Sequence, residues 1–191
     1  MRRVGSSASV EVDEVTQGGT AMSARTIHDE PKTSAVGLTS EKVWRAIDKA
    51  SFAVLSEVTP SGEPRSSGVV YKTLGRRMYV AVAPDSWKAK HVAANGRVAV
   101  TVTVRRGGLL SLVVPIPPAT ISFHATATVL PAGSPRRDSI LEELGSLLPP
   151  ERRDAAAIIE IVPEGEFVTY GLGVSLMKMR DPAAARARVH V

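Results

Sequence analysis

The run Ser86-Trp87-Lys88-Ala89-Lys90-His91 sets a hydroxyl, two ammonium groups and an imidazole where a short helix can begin. A helix N-terminus presents unpaired N–H groups and a partial positive charge. A Ser hydroxyl and two Lys ammoniums beside it make a donor set suited to a phosphate. A second set lies upstream, where one strand-like run carries Arg65, Ser66, Ser67, Tyr71 and Lys72. If that run lies alongside the helix start, the two sets converge on a phosphorylated small molecule. The same residues also suit a plain surface helix with solvated lysines, because lysine is almost always exposed.

Other chemistries find less support. The chain has no cysteine, which removes disulfides, thiolate metal sites and a thiol nucleophile, and fits a reducing cytoplasm. His28, His91, His124 and His190 show no metal-ligand spacing. His124 sits inside an alternating strand, where a packed or hydrogen-bonded role is the ordinary one and a place in the site the minor one. Ser111 and Ser122 lie in no Gly-x-Ser-x-Gly elbow, and Gly171-x-Gly173 lacks the rest of a dinucleotide fingerprint. The pairs Arg76-Arg77, Arg105-Arg106 and Arg136-Arg137 fall at turns, as solvated charge. No side-chain acid–base catalyst stands out.

Charge is unevenly spread. The 191 residues carry a net charge of +5, yet the first forty hold four Lys/Arg against five Asp/Glu. The remainder is therefore basic, which suits an anionic partner or simple solubility. Aromatic residues make up only 4%, so stacking platforms for nucleic acid are scarce, and nucleic acid is not the expected partner. No apolar run reaches the ~18–20 residues of a membrane span, and the N-terminus lacks the apolar block of a signal peptide. The segment Leu109–Pro118 (LLSLVVPIPP) is short and broken by prolines. It has room to extend strands, cover a ligand or pack across a dimer, but no amphipathic pattern for a membrane surface.

The elements that must position these residues read as follows. Residues 1–37 are rich in Ser, Gly, Thr and acids and show no period, the mark of a disordered leader; a start at Met22 would remove no element. Leu38–Ala50 reads as a helix capped by Thr39 or Ser40, with Val43, Ile47 and Ala50 on one face beside Trp44. Ser51–Thr59, Arg65–Thr73 and Met78–Ala83 read as three strands, joined by Pro60–Pro64 and by a hairpin turn at Gly75-Arg76-Arg77. A helix over Ser86–Asn95 follows, stopped by Gly96. Arg97–Val104 and Ala119–Leu130 alternate as strands. A helix runs from Ser134 or Asp138 to Leu148, and a shorter one over Glu151–Ala157. Ile158–Val162 and Glu166–Leu172 complete the sheet. The domain spans 38–176, and the tail 177–191 reads as a helical turn or an extended arm. Strand and helix do not alternate regularly, so a doubly wound sheet is not expected. The class is mainly β: a small antiparallel barrel with peripheral helices.

The order Gly62-x-Pro64-Arg65-Ser66-Ser67-Gly68-Val69-Val70-Tyr71, turn, Met78-Tyr79-Val80, then Ser86-x-Lys88-x-Lys90-His91-x-x-x-Asn95-Gly96-Arg97-Val98 resembles the pyridoxamine 5′-phosphate oxidase-like split barrels. These include FMN-binding oxidases and deazaflavin (coenzyme F-420)-dependent oxidoreductases. The resemblance covers roughly residues 40 to 175. It implies a six-stranded antiparallel split β-barrel of the FMN-binding type, working as a homodimer with the cofactor at the interface. It further implies hydride transfer to or from a small organic substrate. By position, Arg65, Ser66 and Ser67 would approach the phosphate or ribityl chain, and Val69, Val70 and Tyr71 the isoalloxazine, with Lys72 beside them. Ser86, Trp87 and Lys88 would open the phosphate site, Lys88 as its lysine, followed by Lys90 and His91. Trp87 stands where the flavin-binding oxidases usually have Arg, and the Arg/His tail of true pyridoxamine phosphate oxidases is not evident, so that substrate is not expected. Two further readings remain on the same residues: a non-catalytic carrier of flavin, deazaflavin or haem, and a binder of nucleic acid or anionic membrane through the basic surface.

Overall fold

The computed structural model describes residues 37–106, 116–144 and 148–191. The leader read over 1–37 and most of the apolar segment 109–118 lie outside these residues.

Helix α1 (Ser40–Lys49) forms as its sequence dictates. The Thr39 hydroxyl accepts from the Lys42 N–H, Glu41 stands in the first turn and Lys49 in the last, matching the helix dipole. Val43, Trp44 and Ile47 are buried. Strand β1 (Phe52–Val58) pairs antiparallel with β2 (Pro64–Val70). Strands β3 (Lys72–Leu74) and β4 (Arg77–Val82) form a tight hairpin. Its two loop residues, Gly75 and Arg76, both lie at positive φ, 56° and 59°, the geometry of a two-residue hairpin turn that matches strand twist. Helix α2 (Trp87–Ala94) is followed by β5 (Arg97–Val104) and β6 (Ala119–Leu130). Then come α3 (Pro135–Leu144), α4 (Pro150–Arg153), β7 (Ala157–Tyr170), α5 (Pro182–Ala185) and β8 (Arg186–His190).

The sheet runs β2-β1-β5-β6-β7-β4-β3, with β8 added to β7. Its two ends belong to one covalent segment, because β2 and β3 are separated only by Tyr71. The sheet therefore closes on itself through that residue, and full closure is how a barrel removes its edges. Eight strands are assigned where six were expected. The difference comes from the break at Tyr71, which splits one strand into two, and from β8, which is appended outside the ring. The fold is the expected antiparallel split barrel.

Four local expectations change. The segment 65–73 does not pair along its length with the next strand. Most of it pairs with β1, and only Lys72–Leu74 pairs with β4. The two strands expected over 158–172 are one continuous strand, β7, bent where Gly165 takes φ 68° and the register against β6 shifts. Pro163 lies between the part of β7 that pairs with β4 and the part that pairs with β8, a place where a sheet tolerates proline. The helix expected over 151–157 ends at Arg153, and Ala157 already belongs to β7. The tail, expected as a helical turn or an extended arm outside the domain, holds both, the turn α5 and the extended β8, and β8 joins the sheet by pairing with residues 166–170.

Inner-face residues of every barrel strand meet in one core, including Leu55, Val69, Val80, Val100, Ile121, Ile159 and Phe167. Trp44 plugs it from α1, edge-on to Phe167 at 5.6 Å, and Phe123 meets Phe167 edge-on at 5.2 Å. A second cluster lies outside the barrel, where Ile140 and Leu141 of α3 cover Tyr79, Leu130 and Ile158. Beside it sits Glu160, only 5% exposed. Its carboxylate accepts from Arg77 at 2.9 Å, from Arg136 at 2.7 Å and from the Tyr79 hydroxyl at 3.0 Å. Burial alone would raise its pKa, but these donors outweigh it and the net direction is down. The same burial, with Glu160 adjacent, pushes the Tyr79 phenol up to about 12.

Candidate functional site

Alternation along β2 divides the upstream residues between two faces. Ser67 and Val69 share the inner face with Ala53 and Leu55, while Ser66 and Val70 face outward beside Ser56 and Phe52. Val69 is a core residue at 6% exposure. Ser66 exchanges a hydroxyl hydrogen bond with Ser56 at 2.7 Å. Val70 is open to solvent, opposite the exposed ring of Phe52. Gly68 has its place for a steric reason: a β-carbon there would come within 2.8 Å of the Phe52 ring. Arg65 is exposed and held only loosely, 3.7 Å from Glu63. Lys72 is exposed at the start of β3.

Tyr71 differs from its expected role. Its ring is buried at 2% exposure and its hydroxyl donates to the Ile47 carbonyl at 2.7 Å. Burial raises its pKa, with Asp48 adding to the effect. The side chain is part of the core and the barrel closure, so only its backbone remains for a ligand.

The downstream group is closer to expectation. Ser86 caps α2, its hydroxyl accepting from the Ala89 N–H at 3.3 Å. Ala89 and Val92 anchor the helix by burial. The Lys88 ammonium lies 4.5 Å from the centre of the Trp87 ring, a cation–π distance. The Trp87 ring in turn stacks at a tilt on His91, 5.4 Å between centres. Lys90 points to solvent.

What joins the two groups is a residue that the sequence reading passed over. Glu57 is directly opposite Arg65 in the β1–β2 register. It is 2% exposed, and its carboxylate lies 3.5 Å from His91 Nδ1. Neither carboxylate oxygen has a hydrogen-bond partner, nor does His91 Nδ1, so the contact is an ion-pair separation. Burial raises the Glu57 pKa, and His91 and Lys88 pull it back part of the way. The signal was available, because Ala53, Leu55 and Glu57 occupy successive inward positions of one alternating strand, and a carboxylate there has to be buried.

Two further orphans complete the area. Ser67 Oγ is buried without a partner, and the start of α2 presents the N–H groups that a helix leaves without an intrahelical partner, of which that of Ala89 is taken up by Ser86. A cleft of about 360 Å³ lies at the end of β4, lined by Val82, Ala83 and Pro84 and by Leu148 and Ala156, and none of the site residues lines it. Thus Lys88, Trp87, His91, Glu57 and Arg65 fall in one neighbourhood, with Ser67 on the same inner face of β2. Ser66 and Val70 face the other side of the sheet, and Lys90 faces solvent. His124 lies outside this neighbourhood: it is exposed on β6, opposite Ala99 and Glu164. Among the described residues no cluster of His, Asp and Glu could hold a metal, and no helix is long and apolar enough to cross a membrane.

No family model matches the chain, and no curated protein matches it in sequence. Solved structures do match in shape. HutZ, the haem storage protein from Vibrio cholerae, aligns over 70% of this chain and 96% of its own at TM-score 0.54 and 14% identity. A FAD-binding protein from Mesorhizobium loti aligns over 66% and 91% at TM-score 0.50 and 18% identity. General Stress Protein 26 from Bacillus anthracis aligns over 68% and 91% at TM-score 0.50 and 20% identity. At such identities the likeness speaks for the fold, an antiparallel split barrel, and not for a shared activity.

Proposed function

We propose that this chain is a cytoplasmic oxidoreductase that binds FMN or the deazaflavin coenzyme F-420 and passes a hydride to or from a small organic substrate. The observation that carries the reading is Lys88 and α2 set beside one buried carboxylate, Glu57, whose cross-strand neighbour is Arg65, with the orphaned Ser67 hydroxyl two residues further along β2. These donors fit a phosphate. Arg65 and Lys88 can be redirected at little cost, since one is loosely paired and the other leans on a ring. Ser67 gains a partner that it lacks.

Flavin and deazaflavin rings supply hydride exchange when bound. The protein's share is to bind, to orient and to exclude water. Lys88 and the α2 amides hold the anionic end. The backbone of Val69–Tyr71 offers an edge to a planar ring, and on the opposite face of the sheet the exposed Val70 and Phe52 form an apolar surface. That face also suits a second copy of the chain, because large apolar side chains exposed together mark interaction surfaces. The reading therefore includes a homodimer with the cofactor between protomers.

The test is an absorption and fluorescence titration of the purified protein with FMN and, separately, with F-420. Saturable micromolar binding of one is the expected result, followed by turnover with a reductant. Failure of both ends the reading. The alternative is a haem carrier on the same fold, favoured by the likeness to HutZ and by Trp87 standing where flavin oxidases usually have Arg. A Soret band on haem addition, with no flavin retained, would select it. Light scattering checks the dimer, for which Phe52→Lys is expected to give monomers.

A further inference from the structure

A carboxylate buried without a hydrogen bond is expensive, and Glu57 has none on either oxygen. Its surroundings are few and can be named. From α2 it faces His91 at 3.5 Å and, further off, Lys88. Its cross-strand neighbour on β2 is Arg65, which is exposed and turned toward Glu63. The inner face of β5 brings valines 98, 100 and 102, with no charge. His91 is the near partner, and its Nδ1 is equally unpartnered. At this separation a charge on one group changes the cost of a charge on the other. With one proton between them they are neutral overall, as carboxylate and imidazolium or as acid and imidazole. With none they carry a full negative charge beneath the first turns of α2.

We propose that Glu57 and His91 act as a one-proton pair that couples anion binding at the start of α2 to proton uptake. This rests on the reading of that helix start as an anion site. The pair is a positioning element: it need not touch the ligand, and it acts by setting the charge beneath it. A bound phosphate favours the neutral form and draws one proton from solvent into the pair. A deprotonated pair repels the phosphate. Affinity therefore falls as pH rises through the titration of the pair, by at most about tenfold per pH unit for one linked proton. A phosphomonoester, doubly charged above about pH 6, is penalised more than a singly charged phosphodiester. The site thus selects for the less charged ligand as pH rises.

The experiment follows the His91 ring by NMR across pH 5 to 9 in the whole protein, without and with inorganic phosphate, in the wild type, Glu57→Gln and His91→Gln. The last variant identifies the His91 resonance. The expected result is that His91 keeps its proton to higher pH in the wild type than in Glu57→Gln, and that phosphate shifts the wild-type titration further upward. An identical His91 titration in Glu57→Gln overturns the pair. A wild-type titration that phosphate does not move overturns the coupling. FMN affinity, measured over the same pH range, is expected to fall with pH in the wild type and to flatten in Glu57→Gln. Absence of FMN binding alongside the phosphate-induced shift would sink the cofactor reading and leave the pair standing. If Glu57→Gln fails to fold, Lys88→Met is the substitute. It is expected to weaken the phosphate-induced shift, and an undiminished shift overturns the placement of the anion.

Discussion

Two glutamates buried in this barrel have opposite surroundings. Glu160, on β7, accepts hydrogen bonds from two arginines and a tyrosine. Glu57, on β1, is as deeply buried and accepts none. The first is held ionised by its donors, and the second is pushed toward its protonated form by burial. A buried carboxylate supplied with donors ties elements together, here β4, β7 and α3. One left without them costs stability, and such a cost is a common mark of a working site.

The contrast is open to direct attack. The largest effect is expected at Glu160, where Glu160→Gln removes a charge from two arginine bonds and should cost about 2–3 kcal/mol at neutral pH, read by urea unfolding. Its lowered pKa gives a definite sign: the stabilisation is present above the ordinary glutamate pKa and is lost as pH falls through the lower, folded value. Loss of less than about 0.5 kcal/mol, within the range of surface substitutions, would mean that the cluster is ornamental. Next is Lys88→Ala, expected to weaken cofactor binding by about 1.5–3 kcal/mol with little change in stability. Unchanged affinity would remove Lys88 from the site.

Glu57→Gln should move the pH dependence of stability the opposite way from Glu160→Gln. A raised folded pKa means that stability falls as pH rises from the ordinary glutamate value through the folded one. Measured against the wild type, the variant should therefore be relatively more stable at pH 7.5 than at pH 4, read by thermal unfolding at both. A relative loss at pH 7.5 would erase the contrast between the two glutamates. Tyr71→Phe, losing the bond to Ile47, should cost about 1 kcal/mol and leave cofactor affinity unchanged; an affinity change would return its ring to the site. The smallest effect is Ser67→Ala, within about 0.5 kcal/mol in stability because its hydroxyl has no partner to lose, but weaker in ligand binding.

Much of this was legible in the sequence, and the exceptions have physical reasons. Strands β5 and β6 announce themselves by alternation, because each has one face in the core, and β1 and β4 by apolar, β-branched runs bounded by turns. Thr39 and Ser86 announce α1 and α2 because capping is a local interaction. The continuity of β7 was hidden because Pro163 and Gly165 fall between the two strands expected there and act as a bend. Strand β8 was legible only as a turn or an arm, because only its partner makes it a strand. The candidate site divided in the same way. Residues placed by α2 could be found from the cap, whereas the two faces of β2, and with them the burial of Tyr71, depend on which strands flank it. Glu57 was readable from β1 alone, as a charge at an inward position.

The closure at Tyr71 has a consequence for how the chain folds. Strand β4 finds its second neighbour only in β7, as in the pairing of Val82 with Ala157, so the ring cannot shut until most of the polypeptide has been made. During synthesis, which proceeds from the N-terminus at ~5–20 residues per second, β4 and β6 must each wait for β7 with one flank unmatched. Pairings so distant in sequence form slowly because the intervening chain loses its freedom first. A ribosome-bound chain that stops before β7 is therefore expected to remain open to protease, and release of β7 to be the event that seals it.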